Sequence, residues 1–101
     1  PSGANNQIVG STLDAINAMF NQAITVNNGR VEQHNFDDYP LMRLADAPPI
    51  EVQIVASDNP PTGLGEPAYP PVPPAICNAI FAATGVRIRS LPVDTALLRK
   101  A

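Results

Sequence analysis

Glu66 is the residue of this sequence whose type and surroundings could do chemistry. It lies between Gly65 and Pro67 in the stretch TGLGEPAYPPVPPA, residues 62–75. Glycine lets a backbone pass close to a bulky ligand, and proline reduces the freedom of the chain to move the carboxylate away. A general base needs such a fixed placement. An exposed loop acid just ahead of a helix explains the same residues, so both interpretations stay open on the residues alone.

The other candidate groups indicate ordinary turns. His34 is the single histidine and is followed closely by Asp37 and Asp38, but a metal site usually needs three or four ligands from separate elements. Adjacent aspartates in a turn also point apart, which disfavours an acid–base pair. Residues 70–73 match a PxxP pattern for SH3-type recognition without a neighbouring basic residue. The sequence therefore predicts no metal ligands, a turn at the aspartates and a rigid loop at the prolines.

Composition predicts one globular unit and disfavours nucleic acid as a partner. The chain has 101 residues, 45% of them hydrophobic and 15% charged, with a net charge of −3 and one cysteine. No apolar run approaches the roughly 20 residues of a membrane span, no signal-peptide pattern is present, and the compartment stays open. There is no initiator Met, so we expect a piece of something longer. No stripe that could follow a phosphate backbone is formed by the basic residues Arg30, Arg43, Arg87, Arg89, Arg99 and Lys100.

Periodicity and turn residues predict the elements that must position Glu66. Asn28-Gly29 favours a type I′ hairpin turn, and Gly85 suits the position just past a helix. Gly10 falls inside the first helix, which indicates that a helix or a ligand approaches its backbone closely. The fold class is α+β, an antiparallel sheet with helices packed on one face. The predicted order α-β-β-β-α-β-α covers residues 6–21, 23–27, 30–34, 50–56, 74–84, 86–91 and 95–100.

Two of these elements have predicted caps, and one connection is unusually apolar. Asn5 or Asn6 can cap the first helix, and Asp94 can cap the last. The connection after the hairpin contains Phe36, Tyr39 and Leu41, among other apolar residues, and is too apolar for a solvated loop. If their cover lies outside this chain, we expect self-association through the exposed apolar surface.

Three blocks of the sequence resemble a known family. The stretch GLGEPAYPPVPPAICNAIFAATGVRIRSLPV resembles the C-terminal part of the large, molybdopterin-binding subunit of the xanthine oxidase family of molybdenum hydroxylases. Within that family it is most similar to the isoquinoline 1-oxidoreductase beta subunits and their aldehyde dehydrogenase relatives. PSGANNQIVGSTLDAI resembles the family's Asn-Pro-Ser-Gly, Gln-x-x-Gly helix start, and NGRVEQHNFDDYPLMRLADAP resembles the segment that follows it. The order of the three blocks makes the resemblance specific.

The resemblance implies a definite chemistry. In the family, a glutamate at the position of Glu66 takes the proton from a hydroxyl on molybdenum, which attacks an electron-poor carbon of an N-heterocycle or an aldehyde. The electrons then leave through the 2Fe-2S clusters of a small subunit. Gln7 matches a residue that contacts the molybdopterin cofactor, expected in its cytosine dinucleotide form. Gly65 would let the loop backbone pass beside the molybdenum.

The resemblance also implies what this chain lacks. Residues 1–101 are expected to be a single domain, the C-terminal fragment of a molybdopterin-binding domain that needs the remainder of the large subunit. The fragment alone is expected to hold no cofactor and to be inactive. The alternative is a non-catalytic, stand-alone interaction or scaffold module whose proline-rich loop meets a partner.

Overall fold

Two packed helices carry the fold. The computed structural model describes residues 1–100. Helix α1 and helix α2 pack against each other, and a two-stranded antiparallel sheet lies between them in the sequence. Neither helix has the length and apolar character that a membrane crossing requires, within the described residues. The elements are α1 (Ser2–Asn21), β1 (Val26–Asn27), β2 (Arg30–Val31), a 3-10 helix (Leu44–Asp46), α2 (Val72–Thr84) and a second 3-10 helix (Thr95–Lys100).

Helix α1 begins earlier than predicted. The expected start at residue 6, with an asparagine cap, is wrong, because the helix begins at Ser2 and Pro1 takes the cap position without a side-chain hydrogen bond. The amide of Asn5 already donates to the Pro1 carbonyl at 2.9 Å. The first amides of a helix have no acceptor within it. Residues of low helix propensity in this first turn therefore break no hydrogen bond of the helix.

The core is small and centres on α1. Its buried apolar residues are Ala15, Met19 and Val93, and the Val93 amide donates to the Met19 carbonyl at 2.8 Å. The accessible surface is 7816 Å², against about 5,500 Å² for a compact monomer of 10.7 kDa. The radius of gyration of 16.4 Å likewise exceeds the roughly 13 Å of a compact domain of this length. The chain is therefore more extended than a compact domain, and large apolar side chains such as Leu44 and Val55 stay exposed.

The hairpin at Asn28-Gly29 is confirmed, with shorter strands than predicted. Both residues have positive φ, 48° and 76°, as a type I′ turn requires. Val26 pairs with Val31, and beyond the strands the Gln33 side chain accepts from the Thr25 amide at 2.8 Å. This local turn chemistry forms the hairpin although its side chains are exposed.

Helix α2 follows the prediction closely. It begins at Val72, ahead of the predicted start at Pro74, since prolines in the first turn lose no intrahelical hydrogen bond. Gly85 ends it in the left-handed conformation with φ 74°, as predicted, and its amide donates to the Phe81 carbonyl at 2.8 Å. The predicted Asp94 cap is also present, with Oδ1 accepting from the Ala96 amide at 2.9 Å.

The strands expected at 50–56 and 86–91 are not formed within residues 1–100. A strand requires a hydrogen-bonded partner, and the sheet described there contains only β1 and β2. In the first segment Ile54 and Val55 remain 59% and 87% exposed. The second segment is held by α2 instead, because Arg87 stacks 3.6 Å from the Phe81 ring centroid. The α+β class with seven elements stays a prediction.

Candidate functional site

One face of α1 presents polar and small residues to the loop that carries Glu66. Gln7, Gly10, Ser11 and Asp14 are spaced by three, four and seven residues from the first, so they share a face of the helix. The Ser11 hydroxyl reaches the Gly65 carbonyl of the loop at 2.9 Å. The helix face and the loop therefore lie against each other.

A cavity of about 500 Å³ opens where this face meets the loop. This volume is in the range of small-molecule sites. Glu66 is exposed on its wall, which leaves the carboxylate free to meet a group outside the chain. The cavity is lined by Gly10, Ser11, Asp14, Gly65, Glu66, Tyr69 and Pro70.

The backbone around Glu66 is held by hydrogen bonds. Tyr69 donates its amide to the Glu66 carbonyl at 2.9 Å, and Val72 donates to the Tyr69 carbonyl at 3.2 Å. These consecutive turns lead from the carboxylate directly into α2. Pro67 adds a fixed φ between them. The backbone that follows Glu66 is therefore restrained by two turns and a proline.

Two of the three predicted site residues line the cavity. Glu66 and Gly65 are brought together on its wall. Gln7 lies one helical turn before Ser11, its side chain is exposed, and its carbonyl oxygen lies 2.7 Å from the Ser11 Oγ. Gln7 thus lies on the same helix face, outside the lining of the cavity.

The glycines of the site face open space. A Cβ added at Gly10 or Gly65 would meet no atom within 4 Å. The close approach predicted at Gly10 is therefore not made by any of residues 1–100, and a group from outside this part of the chain can reach both backbones.

The second polar cluster is a turn, as predicted. Asp38 accepts from the amides of His34 at 2.8 Å and Asn35 at 3.0 Å, and its Oδ2 lies 3.2 Å from the His34 ring. The backbone hydrogen bond from Asn35, followed by that from His34, holds the pKa of Asp38 below its usual value. In the described part of the chain, no three His, Cys, Asp or Glu residues are placed to hold a metal ion.

The PxxP segment is not an extended recognition motif in the structure. Pro70 and Pro71 lie in the turn before α2, while Val72 and Pro73 lie in its first helical turn. A polyproline II ligand needs an extended backbone instead. These prolines lie where a loop enters a helix, as predicted, and their role as stiffeners of the loop stays a prediction.

Sequence reasoning missed three residues of the site: Ser11, Asp14 and Tyr69. Helical spacing from Gln7 and Gly10 would have identified the first two, because they follow at the intervals that share a helix face. The Ser11–Gly65 bond joins residues 54 positions apart, and no local pattern indicates such a pairing.

Comparison with known proteins matches nearly the whole chain to segments of large enzymes. It is 38% identical over 96 residues to the membrane-bound aldehyde dehydrogenase (pyrroloquinoline-quinone) of Gluconacetobacter polyoxogenes, covering 95% of this chain and 12% of that protein. It is 33% identical over 91 residues to the isoquinoline 1-oxidoreductase subunit beta of Brevundimonas diminuta, covering 90% and 12%. It is 37% identical over 82 residues to a putative xanthine dehydrogenase molybdenum-binding subunit of Escherichia coli (strain K12), covering 75% and 11%. No family model matches the chain.

These relatives show what class of protein the chain comes from: it matches a region of molybdenum-binding oxidoreductase subunits. The chain belongs to the xanthine oxidase family, in which its homologues include isoquinoline 1-oxidoreductase beta and aldehyde dehydrogenase proteins. It spans about a tenth of the length of these relatives, from 11% to 12% in the three above. The resemblance seen in the three sequence blocks is confirmed.

Proposed function

We propose that this chain is the region of a molybdenum hydroxylase large subunit that supplies Glu66 as the general base. The observation that carries the proposal is the exposed carboxylate on the wall of a cavity, at the end of a backbone held by turns. A general base must lie within hydrogen-bond reach of the proton that it takes, and a stiff connection limits its movement away from that position.

The residues present fit one wall of a site for the molybdenum cofactor. The open faces of Gly10 and Gly65 admit a bulky group, and the cavity adjoins both. Gly65 would lie beside the cofactor, and Gln7 would contact its pterin by a side-chain amide. When bound, the cofactor supplies the oxygen for the hydroxylation and takes up the electrons of the substrate.

Glu66 contributes the proton transfer. As a carboxylate it accepts the proton of the hydroxyl group that attacks the substrate carbon, and the attacking oxygen gains nucleophilic character as the proton leaves. The substrate proposed is an N-heterocycle or an aldehyde, and the cofactor form proposed is the cytosine dinucleotide. The names of the relatives, an isoquinoline oxidoreductase and an aldehyde dehydrogenase, support both substrate classes.

The remainder of the large subunit is the proposed partner of the uncovered surface. The difference between 7816 Å² and about 5,500 Å² leaves roughly 2,300 Å² in excess of a compact monomer. Burying this area on one partner corresponds to about twice as much in total, which is in the range of permanent interfaces. Residues 50–56 and 86–91 would then gain strand partners there, which would complete the α+β order. A 2Fe-2S small subunit is proposed as the electron acceptor.

The test is Glu66→Gln in the full-length enzyme, with molybdenum content measured. This change keeps the size and polarity of the side chain and removes the basic oxygen. We expect kcat to fall by about 100- to 10,000-fold, the usual contribution of a general base. Glu32→Gln is the matched control, since Glu32 is exposed, directly follows the hairpin strand β2 and lies outside the cavity lining. Turnover of the Glu66 variant within a few-fold of wild type, with molybdenum bound, would end the assignment.

A further inference from the structure

A single hydroxyl links α1 to the peptide that precedes Glu66. Ser11 Oγ lies 2.9 Å from the carbonyl oxygen of Gly65, and within residues 1–100 no other side-chain hydrogen bond joins α1 to residues 57–71. That carbonyl belongs to the same planar peptide group as the nitrogen of Glu66. A hydrogen bond to this carbonyl therefore restrains the orientation of the peptide plane that leads to the Glu66 Cα.

The peptide on the other side of Glu66 is held as well. Its own carbonyl accepts from the Tyr69 amide at 2.9 Å, and the following residue is Pro67, whose ring fixes φ. With both flanking peptide groups fixed, the direction of the Glu66 Cα–Cβ bond is fixed too. Of the two restraints, the one from the helix acts on Gly65, the residue with the greater backbone freedom.

The Ser11 hydroxyl has a choice of acceptors. It also lies 2.7 Å from the Gln7 carbonyl, but a hydroxyl carries one hydrogen and donates to one acceptor at a time. The Gln7 carbonyl already accepts the Ser11 amide in the helical pattern. Donation to Gly65 therefore leaves no helical carbonyl without a partner, and it adds the link between helix and loop.

We propose that Ser11 is a positioning residue for the general base: its hydroxyl orients the Gly65–Glu66 peptide and so aims the carboxylate. This inference rests on the proposed function of Glu66 for its catalytic consequence. Ser11 does not take part in proton transfer, and its effect reaches the reaction through the placement of the carboxylate. A displacement of a catalytic group by about 1 Å can lower the rate by about 100-fold, so a loosened loop affects kcat more than KM.

The test compares Ser11→Ala, Ser11→Thr and Thr12→Val in the full-length enzyme. Threonine keeps a hydroxyl at residue 11. Thr12→Val is the matched control, because the Thr12 hydroxyl makes the same type of bond within the helix, to the Ile8 carbonyl at 2.8 Å, without reaching the loop. Two measurements are made: amide hydrogen exchange in peptides covering residues 60–70, and kcat and KM at full molybdenum content.

In these peptides the Tyr69 amide is the one bonded to an acceptor in the described residues, the Glu66 carbonyl, and we expect Ser11→Ala to speed its exchange about fivefold, the equivalent of one net hydrogen bond. We expect the kcat of Ser11→Ala to fall about 10-fold or more with KM unchanged, and Ser11→Thr to restore both values.

Unchanged exchange in Ser11→Ala, an equal effect of Thr12→Val, or no recovery in Ser11→Thr would overturn the proposal. Faster exchange with an unchanged kcat would also overturn it, if Glu66→Gln abolishes turnover. If Glu66→Gln is harmless, the proposed function fails instead, and the exchange data alone decide whether Ser11 holds the loop.

Discussion

Phe36 provides a quantitative test of the proposal that the exposed apolar side chains of this chain are covered by other protein. The residue is 73% exposed, in the connection that follows the hairpin. Burying a whole phenylalanine side chain contributes about 1.5–3 kcal/mol, so burying the part of Phe36 that is still exposed contributes about 1–2 kcal/mol. When residues 1–101 are prepared separately, a second copy can provide this cover.

We therefore expect the separate chain to self-associate and Phe36→Ser to weaken the association. With about 1.4 kcal/mol per tenfold change, the association constant falls by about 5- to 30-fold for each such side chain buried at the contact. Sedimentation equilibrium over a range of concentrations measures the constant. Far-UV circular dichroism of both proteins checks that the content of helix is unchanged.

Phe81→Ser is the control for this experiment. Phe81 is 40% exposed, and Arg87 already stacks on its ring, so it offers less free apolar surface. We expect a smaller effect than at Phe36. A wild-type chain that stays monomeric at high concentration would refute the reasoning, and so would equal losses of association in the two variants.

Two further predictions concern local structure. The depressed pKa of Asp38 means that the turn hydrogen bonds are complete above the ordinary aspartate value and are lost as the pH falls through the lowered pKa. NMR shifts of the amide protons of His34 and Asn35 should follow this titration, and a midpoint at or above about 4 would contradict it. Gly85→Ala should destabilise the chain by about 1–2 kcal/mol, because φ is 74° there. Gly3→Ala is the control: Gly3 lies in α1 with open space around it, so this change should not destabilise the chain. Equal denaturation midpoints for the two variants would contradict the role given to the left-handed conformation of Gly85.

The parts of the fold that depend on near neighbours could be predicted from the sequence. The turn at Asn28-Gly29, the end of α2 at Gly85 and the Asp94 cap each involve hydrogen bonds over a few residues. Residues 50–56 are different, because alternation predicts a strand but a strand forms only with a partner. Residues 1–100 provide no partner strand for this segment, so its alternation of apolar and polar residues does not produce a strand there.

The sequence predicted the proposed base of the site, Glu66, but not the residue that holds its loop. The glycine–glutamate–proline spacing, with the family resemblance, led to Glu66 and Gly65, which share the cavity. Ser11 escaped notice because its acceptor is distant in sequence and because a serine in a helix normally bonds within its own helix. The helix register contained the information, but only the fold shows which face of α1 meets the loop.

The pairing of Ser11 with Gly65 also has a consequence for the order of assembly during synthesis. The two residues are separated by 54 positions, so the ribosome must release most of this region before the link can close. Contacts of such long range form slowly, since the intervening chain first loses its freedom. The loop that carries Glu66 would thus be fixed later than the hairpin at Asn28-Gly29, whose contacts are local.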